Sequence, residues 1–341
     1  MAIKVAFVGL KGHWYAVAEE LPKLPEATWV AVADDNADQL KRVPDFPGAT
    51  SDTRTYLNWR ELLEKEKPDV VVECDIDRDR AEILLACAER GINIIAEKPL
   101  AKTLAELDRV SKAVAKSGIL ATMLITMRCS PNYQAMRDAI QAGMIGEVCQ
   151  GGGQKSYKMG ERPAWQKSKQ TFSGIIPFIG IHIMDLFRWT TGREFVEVMA
   201  YGSNAGHPGI GDLEDNACVV AKLDNGATAA FRLDYCRPAA APTHGDDRLR
   251  VAGNKGVIET IGGKVTLTTH GEAPRELPLP GPFPFFADYL AALKEKRAPF
   301  IPFADCVRIT EVVLRAQEAA ETGRPVLVGQ TSSLPNVWAE V

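Results

Sequence analysis

Three groups of residues in this sequence have types and spacings that could do chemistry. The first is Gly9-Leu10-Lys11-Gly12, a glycine turn directly after the apolar run Ile3 to Val8. An ungapped G-x-G-x-x-G from Gly9 would need glycine at positions 11 and 14, where the chain has Lys11 and Trp14. In that fingerprint the middle glycine admits a pyrophosphate and the third lets helix and strand pack closely. Gly12 can substitute through a shifted loop, with Lys11 as counter-charge to a phosphate; the same residues would also make a plain tight turn. Asp34 follows 25 residues after Gly9, closing the run Trp29 to Ala33, where a carboxylate can hydrogen-bond an adenosine ribose. Asp34 and Asp35 side by side, with no adjacent Arg, oppose a 2′-phosphate, so NAD is expected over NADP.

The second group is Ala96-Glu97-Lys98-Pro99-Leu100. A charged pair at the tip of a buried strand is costly unless it meets a partner or a ligand. A lysine desolvated beside a cationic nicotinamide would have its pKa lowered and could hold and polarise a substrate hydroxyl. A structural Glu–Lys ion pair is the alternative. The third group packs cations and aromatics together: Gln154, Lys155, Tyr157, Lys158, Arg162 and Trp165, with His244 to Arg248 as further polar hooks. Aromatic faces take the C–H groups of sugars, and charged donors take hydroxyls or carboxylates. A solvated, internally paired loop would look the same. No metal site is expected, because the histidines (13, 182, 207, 244, 270) are dispersed without HxxxH or HxH spacing. A serine hydrolase is not supported either, since no G-x-S-x-G elbow occurs.

The elements that must position these groups alternate between strand and helix over the first 125 residues. Strands are expected at Ile3 to Val8, Trp29 to Ala33, Asp69 to Val72, Ile92 to Ala96 and Ile119 to Ile125. Between them come a helix stopped by Pro22, a polar loop through Asp75 to Arg80, a helix over 81–90, and one opened by the capping box Thr103…Glu106. This pattern implies a doubly wound parallel sheet, which binds ligands outside the carboxyl ends of its strands. The glycine turn, Asp34, Asp75 and Glu97-Lys98 all fall on that edge.

After about residue 125 the pattern changes. A long polar connection (151–173) precedes a helix over 181–191. Strand-like runs then follow at 197–201, 217–223, 227–233, 248–252, 257–260 and 264–268, with hairpin signals at 224–226 and 261–263. Helices over 285–296 and 305–322 close the chain. The expected division is a dinucleotide-binding domain, 1–124, and an α+β domain with a large, mostly antiparallel sheet, 125–341.

Composition sets the outer limits. The chain has 341 residues, 46 % hydrophobic and 25 % charged, ordinary values for a globular protein of about two domains. With 40 Lys and Arg against 44 Asp and Glu, nothing indicates nucleic-acid binding. The longest apolar stretches, 119–125 and 175–181, fall far short of the roughly 20 residues of a membrane span. No secretory leader is visible, and seven scattered cysteines without a CxxC suggest reduced thiols. A soluble, cytoplasmic protein is expected.

The chain also resembles the glucose–fructose oxidoreductase and inositol dehydrogenase (Gfo/Idh/MocA) family, on several pieces together. These are Glu97-Lys98-Pro99 after its strand, Arg128 to Pro131, Gly143 to Val148, and Gly180 to Gly192 with His182 and Asp185. The resemblance covers essentially the whole chain. It implies a Rossmann domain plus an α+β domain whose open sheet builds homodimers or homotetramers. It also implies NAD(P)-dependent oxidation or reduction of sugars, polyols or their derivatives. Lys98 matches the family's catalytic lysine and His182 its acid/base histidine. Gly9, Leu10, Lys11, Gly12, His13, Asp34, Asp75, Glu97 and Lys98 then become the expected cofactor contacts. Lys155, Tyr157, Arg162, Trp165, Asp185 and His244 become the expected substrate contacts. The chain departs from the pattern at Phe178, where relatives carry Asp, at Asp75-Ile76 in place of Thr-Pro, and at Arg80 in place of His. The proton task would fall to His182, helped by Lys98 or Tyr157. Two other functions fit the same residues: an NAD-assisted glycoside-cleaving enzyme, and a cofactor- or sugar-binding protein without catalysis.

Overall fold

The computed structural model describes residues 2–329. They form two compact units: 2–126 with 284–308, and 127–283 with the segment from 309 onward. In the first, six parallel strands among the described residues are β1 (Ile3–Val8), β2 (Ala27–Ala33), β3 (Arg54–Tyr56), β4 (Val70–Glu73), β5 (Asn93–Ala96) and β6 (Ala121–Met123). Between them run α1 (Tyr15–Ala18), α2 (Ala37–Lys41), α3 (Trp59–Glu66), α4 (Asp77–Glu89) and α5 (Leu104–Ser117). The strand order is β3-β2-β1-β4-β5-β6, the doubly wound order whose winding reverses between β1 and β4. Val5 to Val8, Val70 to Val72 and Ile94 to Ala96 are buried on both faces, so these strands read as continuous apolar runs rather than alternating ones. Thr103 and Glu106 make the reciprocal capping box that opens α5, and Gly118 ends it in the left-handed region (φ 69°).

The expected polar loop through Asp75 to Arg80 is half helix: α4 starts at Asp77. Asp77 and Asp79 in its first turn favour the positive end of the helix dipole, and Arg80 turns inward to full burial.

The second unit holds α6 (Pro131–Gln141), β7 (Val148–Lys158), α7 (Ile181–Thr191), β8 (Phe195–Ser203), β9 (Asn216–Leu223), β10 (Thr228–Arg237), β11 (Gly245–Gly253), β12 (Gly256–Ile261), β13 (Lys264–Thr269) and β14 (Arg275–Glu276). After α8 (Phe285–Glu295) and α9 (Phe303–Thr322) comes the short β15 (Val326–Leu327). The described sheet runs β14-β13-β12-β11-β7-β10-β9-β8-β15, antiparallel throughout except where β10 pairs with β7. Both hairpin signals are hairpins: β9–β10 across Gly226 and β12–β13 across Gly262-Gly263.

The first part of the expected connection 151–173 is the middle of β7. Its triple glycine hides the strand from a propensity reading, yet packing demands it. A Cβ on Gly151 would lie 2.5 Å from the Phe187 ring, and one on Gly153 would lie 2.4 Å from Ile183. Glycine therefore lets α7 rest directly on the sheet.

The sequence-based boundary at 124/125 assigns α8 to the second domain, but α8 packs with the first. The Tyr289 hydroxyl donates to the carbonyls of Ile94 (3.3 Å) and Leu120 (3.1 Å). Glu20 accepts from the Phe286 and Ala287 amides at the start of α8. These partners lie far apart along the chain, beyond what local pattern can reveal. Residues 330–341, included in the expected second domain, lie outside the described residues. No helix among the described residues is long and apolar enough to cross a membrane.

Gly151→Val tests the glycine strand. It should cost about 1–3 kcal/mol through overpacking against Phe187, read as a lower urea midpoint; an unchanged midpoint would show that α7 can move away freely.

Candidate active site

At the carboxyl edge of the parallel sheet, Gly9 leaves β1 at φ 81°, and a Cβ there would lie 2.4 Å from the Asp75 amide nitrogen. Glycine is required because the loops after β1 and β4 touch backbone to backbone. Asp34, buried at the end of β2, accepts from the Leu10 amide (2.8 Å) and the Asn36 amide (2.8 Å). Burial pushes its carboxyl upward, against those two donors and Lys11. The Lys11 ammonium lies 2.7 Å from Asp75 and 2.8 Å from Asp35, with Asp34 at 4.0 Å. Burial alone would lower Lys11, but the carboxylates outweigh it and hold the ammonium charged, with the net shift upward. The turn thus carries a fixed positive charge among three acids.

Glu97 is the centre of this edge. It is buried, and its carboxylate accepts from the His13 amide (2.7 Å), with His13 Nδ1 2.9 Å away. The buried Lys98 ammonium lies 3.7 Å from the same carboxylate. Burial would raise the Glu97 carboxyl, but His13, Lys98 and Arg80 reverse this and hold it well below the usual range. Gly12 is needed here too, since a Cβ on it would lie 2.5 Å from Glu97 Oε2. Lys98-Pro99 is a cis peptide. Arg80 braces the region from beneath: its guanidinium donates to Glu73 (2.8 Å), Asp77 (3.0 Å) and the carbonyls of Pro99 (2.9 Å) and Asp75 (2.7 Å). Sequence reading registered Arg80 only as a departure from a pattern. Its role as a strut is visible only where the fold brings those acceptors together.

In the second unit His182 is the second residue of α7 and is buried. Ile183 lies over Gly153, Phe187 over Gly151, and Gly180 over Leu233, the residue that pairs with Lys155. The N-terminal end of α7 therefore overlies the end of β7 that bears Lys155 and Tyr157. Lys155 is nearly inaccessible; its ammonium contacts Asp247 (2.6 Å) and the Met127 sulfur (3.0 Å), and sits 5.0 Å over the Tyr157 ring. Burial lowers its pKa, with Asp247 opposing. Asp247 Oδ1 is buried with no hydrogen-bond partner among the described residues. The His244 ring packs on Tyr157 (centroids 4.8 Å), and the Arg162 guanidinium lies 4.0 Å over Tyr235. Burial and then the positive charges of Arg162 and Lys158 push His244 downward. Lys155, Tyr157, Arg162 and His244 thus form one linked cluster with Asp247, one of the polar hooks expected at 244–248, and with Tyr235, which no motif singled out.

Two expected substrate residues are placed differently. Asp185 meets Arg128 through both oxygens (2.5 and 2.8 Å) in a buried bidentate pair, so its carboxylate holds the chain before α6. Trp165 packs edge-on to Phe178 (6.1 Å) and Phe172 (5.6 Å), which also meet each other at 4.8 Å. Phe178 thus completes an aromatic cluster where a carboxylate would be out of place.

Comparison with known proteins bears on both units. Residues 3–125 match the "Oxidoreductase family, NAD-binding Rossmann fold", and residues 133–259 match the "GFO/IDH/MocA C-terminal domain". The myo-inositol 2-dehydrogenase of Thermotoga maritima is 27 % identical over 261 residues, covering 75 % of this chain and 74 % of that protein. A solved Thermotoga maritima structure assigned as an oxidoreductase is 32 % identical with a TM-score of 0.90, covering 96 % of this chain and all of that one. The levoglucosan dehydrogenase structure in complex with NADH has a TM-score of 0.84 at 19 % identity, covering 97 % of this chain and 100 % of that one, a likeness of fold.

Glu97→Gln tests the centre of the first edge. Because the folded carboxyl sits below its ordinary value, its contribution is complete above about pH 4.5 and is lost as pH falls through the folded value. The variant should lose about 3 kcal/mol at pH 7, with the gap to the parent narrowing by about 1 kcal/mol near pH 3.5. Urea titrations at the two pH values measure it, and an equal gap at both would refute the assignment.

Proposed function

The chain belongs to the GFO/IDH/MocA family of oxidoreductases, with an NAD-binding Rossmann domain, and on that premise we propose that it is a dehydrogenase of a sugar, polyol or sugar derivative. The observation that carries this reading is the buried Glu97–Lys98 pair at the carboxyl edge of the Rossmann sheet. A desolvated ammonium there is costly without a task, and holding the oxygen of a reacting alcohol or ketone is one.

The residues of the edge suit NAD. The turn after β1 lies on the carboxyl edge of the sheet, and Asp34 and Asp35 at the end of β2 suit ribose hydroxyls. The same acids repel a 2′-phosphate, which favours NAD over NADP. Lys11 supplies a charged ammonium beside the turn for the pyrophosphate. When bound, the nicotinamide supplies or accepts the hydride.

Lys98 orients and polarises the substrate oxygen, with Glu97 fixing the ammonium. His182 exchanges the hydroxyl proton, helped by Lys98 or Tyr157. Lys155, Arg162 and His244 bind the substrate together with Asp247. The partnerless Asp247 Oδ1 is an acceptor that a sugar hydroxyl would satisfy. The excess of cations around His244 favours substrates that also carry an acidic group. The open face of the large sheet, where Tyr201, Val220 and Ile261 are exposed, fits assembly into dimers or tetramers of this chain.

Lys98→Ala should lower kcat about 10²- to 10⁴-fold while NAD still binds by calorimetry; near-parental turnover across a panel of polyols and sugar acids would remove the role given to Lys98. Asp247→Asn should raise KM for the best substrate of that panel with kcat less affected. An unchanged KM would place the sugar elsewhere.

A further inference from the structure

We propose that His207, Asp215 and Cys236 form a site for a divalent, zinc-like cation. None of the three has a role above and the inference does not rest on the proposed reaction, although His207 and Arg162 line one pocket. One donor atom from each lies within 4.8 Å of the other two. An imidazole, a carboxylate and a thiol are a donor set that zinc accepts, with one position left for water. In a tetrahedral zinc site such donors stand roughly 3.3–3.6 Å apart. His207 Nδ1 and Asp215 Oδ2 are 2.8 Å apart here, so a small outward turn of the imidazole admits the ion.

The backbone builds this arrangement. Asp215 immediately precedes β9, and its amide donates to the Ser203 carbonyl (2.8 Å). Its own carbonyl accepts from the Tyr235 amide (2.8 Å), which fixes it beside Cys236. Between β8 and β9 the chain crosses back over both side chains at Gly206. A Cβ there would lie 2.8 Å from Asp215 Oδ2 and 3.0 Å from Cys236 Sγ, so glycine is what lets the loop deliver His207 to the other two. Asp215 is fully buried, whereas Cys236 is exposed, so a buried carboxylate sits at the bottom of a cluster that solvent can reach.

The same triad could be read as a nucleophilic cysteine with its base. Asp215 stands in the same cluster and Asp234 accepts from the Cys236 amide (2.9 Å), and two carboxylates beside a thiol oppose the thiolate that a nucleophile needs. Negative charge around a thiol instead attracts a cation, and binding would expel the thiol proton to water. The bound ion would pin the loop over 204–214 to the end of β10.

The test uses the full chain stripped with a chelator. Zn²⁺ titrated by calorimetry should bind one ion per chain. Co²⁺ should give the near-ultraviolet charge-transfer band of a thiolate ligand. His207→Ala and Cys236→Ser should each weaken Zn²⁺ binding at least about tenfold, while Cys149→Ser, which alters an exposed thiol elsewhere, should leave it unchanged. Absence of one-to-one binding, binding equally tight in Cys236→Ser, or loss of binding in Cys149→Ser would each overturn the site. If Cys236→Ser does not fold, the Co²⁺ spectrum of the parent decides: a thiolate band supports the site, and its absence refutes it.

Discussion

The carboxylate of Glu97 is the constraint on which the first unit depends. It stands at the tip of β5, buried, and accepts from the backbone of the turn that follows β1. A buried carboxylate is tolerated only when its charge is matched and its lone pairs are filled. Here the Lys98 ammonium supplies the charge, and the His13 amide and ring engage the oxygens. One side chain therefore fixes the glycine turn against the strand that presents Lys98, and the spacing between those two features follows from its reach. Arg80 extends the arrangement downward by holding the Pro99 and Asp75 carbonyls. With both braces in place, the loops after β1, β4 and β5 act as one rigid edge.

The second unit solves a different problem. Its large sheet must accept a helix close enough to set the start of α7, with His182, above the end of β7 that bears Lys155 and Tyr157. Gly151 and Gly153 remove the side chains that would hold α7 away. Farther along the strand Lys155 is buried against Asp247 and Tyr157. Close packing beneath α7 along the glycines of β7 gives way to a charged, aromatic cluster at the strand's far end.

Departures from the resembled family become intelligible in this setting. Arg80 replaces a histidine yet ties the segments after β4 and β5 together through four acceptors. Phe178 replaces a carboxylate and sits in a ring cluster with Trp165 and Phe172. Asp75 takes up the charge of Lys11, which itself stands where the glycine fingerprint is broken. Arg80 donates to the Asp75 carbonyl and Asp75 pairs with Lys11, so the departures of the first unit are linked to one another.

The sequence by itself determined much of this. The strand–helix alternation, the capping box, both hairpins, the helix from Ile181 to Gly192 and the edge that carries Asp34 and Glu97-Lys98 were all legible, because each depends on local period, local caps or a residue at a strand end. What it could not yield were partnerships across long separations. Asp185 with Arg128, Asp247 with Lys155, α8 with the first sheet and His207 with Cys236 are pairings that only folding creates. The triple glycine of β7 misled for a related reason: its value lies in the side chains of α7 that press on it. Local propensity fixes which elements form, whereas burial of charge and close packing decide which side chains meet, and those are properties of the assembled chain.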